Sequence, residues 1–177
     1  MKTICVFCGL RPGTNQEFSS AAFDLGRYLG ENKINLVYGG SDCGLMGIVA
    51  ENALKYGSEV TAVMPEDLLI KCGHKPGTKL ITVKNMAERR QKMLDLSDAF
   101  IVLPGGFGTL DEIFEMITYR QLGYHNKPCG FLNVDGYYNH IWDFIENSEI
   151  FGFVEKHHAD NVFFLSKLKD LMPRLGF

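Results

Sequence analysis

The residues best suited to chemistry lie in segment 104–112, which reads PGGFGTLDE and directly follows the apolar run 99–103. The pattern predicts that a buried strand ends, three glycines turn the chain, and a helix begins with a hydroxyl and two carboxylates. Glycines let a backbone approach a ligand closely, and free N–H groups at a helix start attract phosphate. A carboxylate beside a phosphate is unusual because the charges repel. The segment therefore predicts a phosphate-binding site with a neighbouring carboxylate that acts on the rest of the ligand.

The turn differs from two familiar nucleotide-binding loops. Asp111 stands where a dinucleotide fingerprint has its third glycine, and its charge would face a pyrophosphate. A P-loop is excluded because no Gly-Lys-Ser/Thr follows. We therefore expect the turn to bind a single phosphate.

Glu112 has two interpretations that the local pattern does not separate. Thr109 and Glu112 are three residues apart, which matches a capping box with Thr109 as N-cap and Glu112 at N3. The same carboxylate would also lie near the phosphate and could serve the reaction. Both interpretations stay open at this point.

A second candidate is the predicted helix 85–96, in which Asn85 caps the first turn and Arg89 and Arg90 follow. One interpretation is a solvated basic face. However, an arginine near a helix start opposes the helix dipole, so the presence of two of them needs an explanation. An anionic ligand would supply that explanation.

Two further glycine turns follow predicted strands at the amino-terminal end of the chain. Segment 38–47 reads YGGSDCGLMG and segment 8–13 reads CGLRPG. Such turns can simply let a helix pack closely on a strand. Because the ends of neighbouring parallel strands meet at one edge, we also expect Gly9 and Gly40 to approach the ligand.

Strands and helices alternate along the sequence, and the strands are continuous apolar runs, which is typical of a parallel sheet covered on both faces. Strands are predicted at 3–8, 35–38, 59–64, 80–83, 99–103, 129–134 and 162–165. Helices are predicted at 15–32, 45–56, 85–96, 110–122, 138–147 and 166–175, with a long loop containing one helical turn at 66–79. The expected fold is α/β: a single-domain, Rossmann-like, doubly wound parallel sheet over residues 1–177.

Composition excludes several classes of protein. The net charge is −3, and no basic block is present, so nucleic acid is not expected as a partner. No apolar stretch is long enough to span a bilayer and no signal peptide precedes the first strand, so we expect a cytoplasmic location without membrane contact. Five scattered cysteines argue against a disulfide framework, and Cys5 and Cys8 lie on a strand rather than at a helix start, which favours a structural role. The histidines show no metal-ligand spacing, and no metal is expected.

Taken together, these segments resemble the LOG (Lonely Guy) family, the cytokinin riboside 5′-monophosphate phosphoribohydrolases. Segment 104–112 is similar to the family's PGGxGTxxE motif, and residues 86–90, MAERR, are similar to its arginine helix. Segments 6–9, 38–40, 44–47 and 132–138 match as well, whereas Ser41 and Asp42 depart from the usual pattern. The resemblance therefore covers nearly the whole chain.

The resemblance implies a homodimer that hydrolyses the N-glycosidic bond of a nucleoside 5′-monophosphate, AMP or an N6-prenylated form, to free base and ribose 5-phosphate. No cofactor is implied. By position, Arg89 and Glu112 correspond to the catalytic pair. The predicted substrate-binding residues are Gly9, Gly40, Met86, Arg90, Gly105, Gly106, Phe107, Gly108, Thr109, Leu110, Asp111 and Thr118.

The expected chemistry agrees, because breaking this bond builds positive charge on the ribose, which a carboxylate such as Glu112 can stabilise. The alternative is a non-catalytic nucleotide-binding or carrier module, which would not need Arg89 with Glu112. Lysine decarboxylation is excluded because no lysine lies next to the glycine turns to form a Schiff base. Leu10 stands where many family members have serine, and the sequence does not predict which base is preferred.

Overall fold

A computed structural model describes residues 2–177, except the side chain of Cys72. Within these residues, seven strands form one sheet. The strands are β1 Thr3–Phe7, β2 Asn35–Tyr38, β3 Val60–Pro65, β4 Lys79–Val83, β5 Ala99–Val102, β6 Cys129–Leu132 and β7 Val162–Leu165. The helices are α1 Gln16–Glu31, α2 Gly44–Tyr56, α3 Glu66–Cys72, α4 Met86–Leu96, α5 Phe107–Gln121, α6 Asn139–Ile150, α7 Lys156–Ala159 and α8 Leu168–Arg174.

The sheet is parallel throughout, in the order β4-β3-β2-β1-β5-β6-β7. The chain adds strands to one side of β1 as far as β4 and then returns to its other side with β5. Ile4 of β1 accordingly pairs with Leu36 of β2 and with Ala99 of β5. Ligands of open α/β sheets bind at such a reversal, outside the carboxyl ends of the strands. The loops that follow β1 and β5 therefore define the place to look for a site.

Helices cover both faces of the sheet. On one face, α1, α2 and α8 pack their apolar residues on the sheet. On the other face, α4, α5 and α6 do the same. Each central strand is buried on both sides, which explains its continuous apolar sequence. The predicted doubly wound α/β fold is confirmed.

The structure corrects the interpretation of segment 66–79 as a long loop with one helical turn. Seven of its residues form α3, whose N-cap is Pro65 and whose first turn carries Glu66 and Asp67. Two carboxylates at a helix start are favourable with the helix dipole. The glycines and the proline that indicated a loop lie after α3. The side chain of Cys72 is outside the described residues.

The cysteines whose side chains are described are all free. Cys5 belongs to the core on one face of the sheet and Cys8 to the core on the other. Burial raises the pKa of both thiols. The structural interpretation of this pair is therefore confirmed. None of the described helices is long and apolar enough to cross a bilayer.

Candidate active site

A cavity of about 330 Å³ opens where the sheet order reverses, between the turns that follow β1, β2 and β5 and the first turns of α4 and α5. Its polar side chains are Ser41, Arg89, Thr109, Asp111 and Glu112. The rest of the lining consists of apolar side chains, the Cys8 thiol and glycine backbone: Cys8, Gly9, Leu10, Gly39, Met46, Met64, Leu68, Met86, Gly106 and Gly108. The cavity therefore combines a charged, glycine-rich part with thioether and leucine side chains suited to an apolar ring.

Arg89 of α4 and Glu112 of α5 form a buried ion pair in this cavity. The Arg89 Nη1 atom lies 2.7 Å from Glu112 Oε1, and the residues are 5% and 4% exposed. Arg89 Nε also donates to the Val63 carbonyl at 3.1 Å. Burial raises the pKa of Glu112, while the charge of Arg89 acts in the opposite direction. Removing one partner would leave an uncompensated buried charge, which typically costs about 3–5 kcal/mol.

The glycine turn after β2 makes room for this ion pair. A Cβ atom at Gly39 would overlap Arg89 Nη2 and would also lie 3.2 Å from the sulfur of Met46. A larger residue here would displace the guanidinium. The turn after β2 therefore contributes to the site through close approach to Arg89.

The amino-terminal end of α5 is open to the same cavity. The helix begins at Phe107, and its N-cap, Gly106, provides no side-chain hydrogen bond. The N–H groups of Phe107, Gly108 and Thr109 belong to the first turn and have no acceptor within the helix. The first turn also contains no carboxylate, since Asp111 and Glu112 come in the second. This end of the helix is suited to a phosphate group.

The capping-box interpretation of Glu112 is wrong. Because α5 begins at Phe107, Thr109 is its third residue and cannot be the N-cap, and Glu112 lies in the second turn. The sequence predicts a helix start at Leu110 because Thr109 is a favourable N-cap by residue type and Glu112 follows it at N3. Glu112 instead bonds Arg89. Its carboxylate has no capping role to explain its position.

Arg90 has two carboxylate partners on α5. Its guanidinium lies 3.1 Å from Asp111 Oδ2, and its Nε contacts Glu115 Oε2. The two arginines of α4 therefore find their negative partners on α5. The interpretation of Arg89 as part of a solvated face is wrong, and an anion is not needed to explain either residue.

Comparison with known proteins identifies the family. The sequence model of a family described as "Possible lysine decarboxylase" matches residues 46–175. A probable cytokinin riboside 5′-monophosphate phosphoribohydrolase of Oryza sativa subsp. japonica is 45% identical over 94% of this chain and 72% of its own length. The chain belongs to the LOG family. The Rhodococcoides fascians member, a cytokinin riboside 5′-monophosphate phosphoribohydrolase, is 42% identical over 86% of this chain and 78% of its own length.

Solved structures similar to this LOG-family chain share its fold. A molybdenum cofactor binding protein from Rippkaea orientalis superposes with a TM-score of 0.72 at 19% identity, covering 98% of this chain and 94% of its own. The molybdenum cofactor carrier protein of Chlamydomonas reinhardtii gives 0.72 at 16% identity, with 99% of both chains covered. At such identities the likeness concerns the fold alone.

The structure brings eight predicted site residues of the LOG-family chain together around the cavity. They are Gly9, Met86, Arg89, Gly106, Gly108, Thr109, Asp111 and Glu112. Gly40 lies next to the lining residue Gly39 and has a φ of +92°, and a Cβ atom at this position would overlap the Met64 side chain. Gly105 lines a second cavity of about 360 Å³, which shares Gly9, Leu10 and Gly106 with the first.

The remaining predicted residues lie on the outer side of α5 or beside it. The side chain of Phe107 is 93% exposed. Leu110 and Thr118 line a shallow groove on α5 together with Asp111. Arg90 is held by its two carboxylate partners.

Sequence reasoning did not select seven lining residues of the LOG-family chain: Cys8, Leu10, Gly39, Ser41, Met46, Met64 and Leu68. Four of them, Cys8, Leu10, Gly39 and Ser41, lie within three residues of the end of β1 or β2, so the rule that ligands bind at strand ends could have found them. Leu68 belongs to α3, and the sequence does not indicate it because the pattern of 66–79 predicts a loop. No lysine among the described residues lines the cavity, and no group of described residues could hold a metal ion.

Proposed function

We propose that this LOG-family protein hydrolyses the N-glycosidic bond of a nucleoside 5′-monophosphate and releases the free base and ribose 5-phosphate. The observation that carries the proposal is the buried Arg89–Glu112 pair next to the open end of α5. The names of its relatives support the substrate class, since they are phosphoribohydrolases of cytokinin riboside 5′-monophosphates.

In the proposed complex the 5′-phosphate binds the first amides of α5, from Gly106 to Thr109, and the base lies against the apolar part of the cavity. Met46, Met64 and Leu68 offer that base a polarisable, adaptable surface. Glu112 is then next to the ribose. AMP and an N6-prenylated AMP are the proposed substrates.

Each part of the reaction has a residue suited to it. As the bond from C1′ to the base nitrogen breaks, its electron pair leaves with the base and the ribose gains oxocarbenium character. The ionised Glu112 stabilises this charge or positions the water that attacks C1′, and Arg89 holds the carboxylate in place. The water provides the C1′ hydroxyl of ribose 5-phosphate and a proton that ends on the base.

The proposal is tested by incubating the protein with AMP and with N6-isopentenyl-AMP and measuring released base by liquid chromatography. Glu112→Gln should lower kcat about 100-fold or more and change KM much less, because the carboxylate acts on the transition state. The matched control is Glu115→Gln. Glu115 is also on α5 but pairs with Arg90 and does not line the cavity, so its kcat should stay within about threefold.

Three results would contradict the proposal. Wild-type protein that releases base from neither nucleotide would exclude this activity. Binding of AMP without release of base would favour the alternative, a carrier module. Undiminished turnover by Glu112→Gln would remove Glu112 from the mechanism. Melting curves of the variant with ribose 5-phosphate show whether it is folded and still binds.

A homodimer, a cytoplasmic location and a single domain over 1–177 remain predictions. So do the roles of the individual substrate-binding residues. Sedimentation of the purified protein measures its oligomeric state directly and so tests the homodimer. A monomeric mass across the micromolar range would contradict it.

A further inference from the structure

The turn between β5 and α5 leads into the proposed phosphate site. Three successive carbonyl groups of this turn accept hydrogen bonds. The Leu103 carbonyl accepts from the Tyr138 hydroxyl at 2.9 Å, and the Pro104 carbonyl accepts from Gly9 N–H at 3.0 Å. The Gly105 carbonyl accepts from the Tyr137 hydroxyl at 2.8 Å. Two consecutive tyrosines thus hold the carbonyls on either side of Pro104.

Holding a carbonyl also holds the next amide. A trans peptide unit is planar, and its C=O and N–H point in opposite directions. The hydrogen bond from Tyr137 to the Gly105 carbonyl therefore fixes the direction of Gly106 N–H. Neither neighbouring residue has a Cβ to restrict rotation of this peptide, so an external restraint is needed. Gly106 lines both cavities, at the place where they meet.

Tyr137 itself is firmly placed even though it is 45% exposed. Its ring packs edge-on against Phe18, with centroids 5.3 Å apart, and against Tyr138 at 4.8 Å. Two residues earlier, Asp135 has a φ of +51° and accepts a hydrogen bond from the Asn15 side chain at 2.8 Å. A non-glycine residue with such a φ is uncommon and persists where its surroundings hold it. The segment before Tyr137 is thus tied to the start of α1.

We propose that Tyr137 is a positioning residue that fixes the Gly105–Gly106 peptide and so presents the Gly106 amide to the substrate's 5′-phosphate. The proposal rests on the proposed function, since it assumes that the phosphate binds at the start of α5. It assigns Tyr137 no contact with the reacting atoms. Its effect belongs to phosphate binding and not to bond cleavage.

Tyr138 provides the matched control. Its hydroxyl bonds the Leu103 carbonyl, and the nitrogen of that peptide belongs to Pro104, which carries no N–H. Tyr138→Phe therefore removes a hydrogen bond from the same turn without releasing the Gly106 amide. Tyr137→Phe removes the other hydroxyl and keeps the ring that packs on Phe18.

The test measures dissociation constants for ribose 5-phosphate by calorimetry and the kinetics of AMP hydrolysis. Tyr137→Phe should weaken ribose 5-phosphate binding about fivefold and raise KM for AMP similarly, as expected for one lost hydrogen bond, with kcat within about twofold. The inhibition constant of adenosine, which lacks the phosphate, should not change. Tyr138→Phe should lower the melting temperature and leave ribose 5-phosphate binding within about twofold.

Each other result overturns the proposal in a defined way. Unchanged ribose 5-phosphate binding by Tyr137→Phe excludes it. Equal weakening by both variants, or equal weakening of adenosine and ribose 5-phosphate, would show general damage to the turn instead. If the wild-type protein cleaves AMP, the proposed function stands, and these results bear only on the role of Tyr137. A wild-type protein that neither cleaves AMP nor binds ribose 5-phosphate would contradict the proposed function itself.

Discussion

Three neighbours restrain the guanidinium of Arg89, and this determines what Glu112 can do. The Val63 carbonyl accepts from its Nε, Glu112 accepts from its Nη1, and the bare backbone of Gly39 lies against its Nη2. A buried carboxylate without such a partner would take up a proton near neutral pH. The fixed cation therefore favours the ionised Glu112 that the proposed reaction needs.

This balance predicts the pH dependence of the reaction. Burial raises the pKa of Glu112, so the carboxylate protonates, and kcat/KM falls, at a pH above the ordinary glutamate value of about 4.3. Arg89 lowers that pKa, and hence Arg89→Met should move the acidic limb to higher pH as well as lower activity. The measurement is kcat/KM for AMP from pH 4 to 9. The substrate phosphate titrates identically for every variant, so differences between variants report on the protein.

The control for this profile is Arg27→Met, which removes a cation from the exposed face of α1, where it pairs with Asp24. Its acidic limb should coincide with that of the wild type. A limb for Arg89→Met that stays in place or moves to lower pH would contradict the assigned coupling between the two side chains.

At the scale of elements, local periodicity predicted most helices and strands, but not the start of α5. Gly106 serves as N-cap because the preceding turn holds its backbone extended, which residue type does not reveal. Likewise, the spacing of Arg89 and Glu112 in sequence does not show that they meet. They do so because α4 and α5 pack on the same face of the sheet. The resemblance to the LOG family implies that Arg89 and Glu112 act as a pair, but the packing of α4 and α5 on one face of the sheet explains why they are in contact.

Two glycines of the turn before α5 should differ sharply when changed to alanine. A Cβ at Gly105 would overlap the Thr109 side chain and lie 2.9 Å from Gly9 N, so Gly105→Ala should destabilise the protein by about 1–3 kcal/mol. A Cβ at Gly108 meets nothing within 4 Å. Gly108→Ala should therefore keep or slightly raise stability, since alanine favours helices. Because Gly108 lines the cavity in the first turn of α5, the added methyl group should nevertheless weaken phosphate binding.

Urea denaturation measures the stability of both variants, and calorimetry measures their affinity for ribose 5-phosphate. If the Gly108→Ala protein is stable and binds ribose 5-phosphate as tightly as the wild type, the proposal that the phosphate binds at the start of α5 is contradicted. Gly105→Ala with wild-type stability would contradict the close approach of Gly105 to Thr109.

At the scale of the whole molecule, the two cores share their strands. Ile4 and Val6 of β1 belong to the core under α1, α2 and α8, whereas Cys5 and Phe7 belong to the core under α4, α5 and α6. If one core were lost, one face of these strands would be exposed, and the same strands carry the residues of the other core. The two faces are therefore expected to unfold together, as a single domain over 1–177 requires.

This coupling predicts one cooperative unfolding transition. Trp142, the only tryptophan, lies on α6 and packs on Phe164 of the edge strand β7, with ring centroids 5.1 Å apart. Its fluorescence reports on one edge of the sheet, while far-ultraviolet circular dichroism reports on all helices and strands. The two urea curves should coincide, and ribose 5-phosphate at 100 times its dissociation constant should stabilise both by about 2.7 kcal/mol. An earlier, ligand-independent fluorescence transition would instead identify the β6–β7 edge as a separate unit, because the ligand stabilises only what unfolds together with its site.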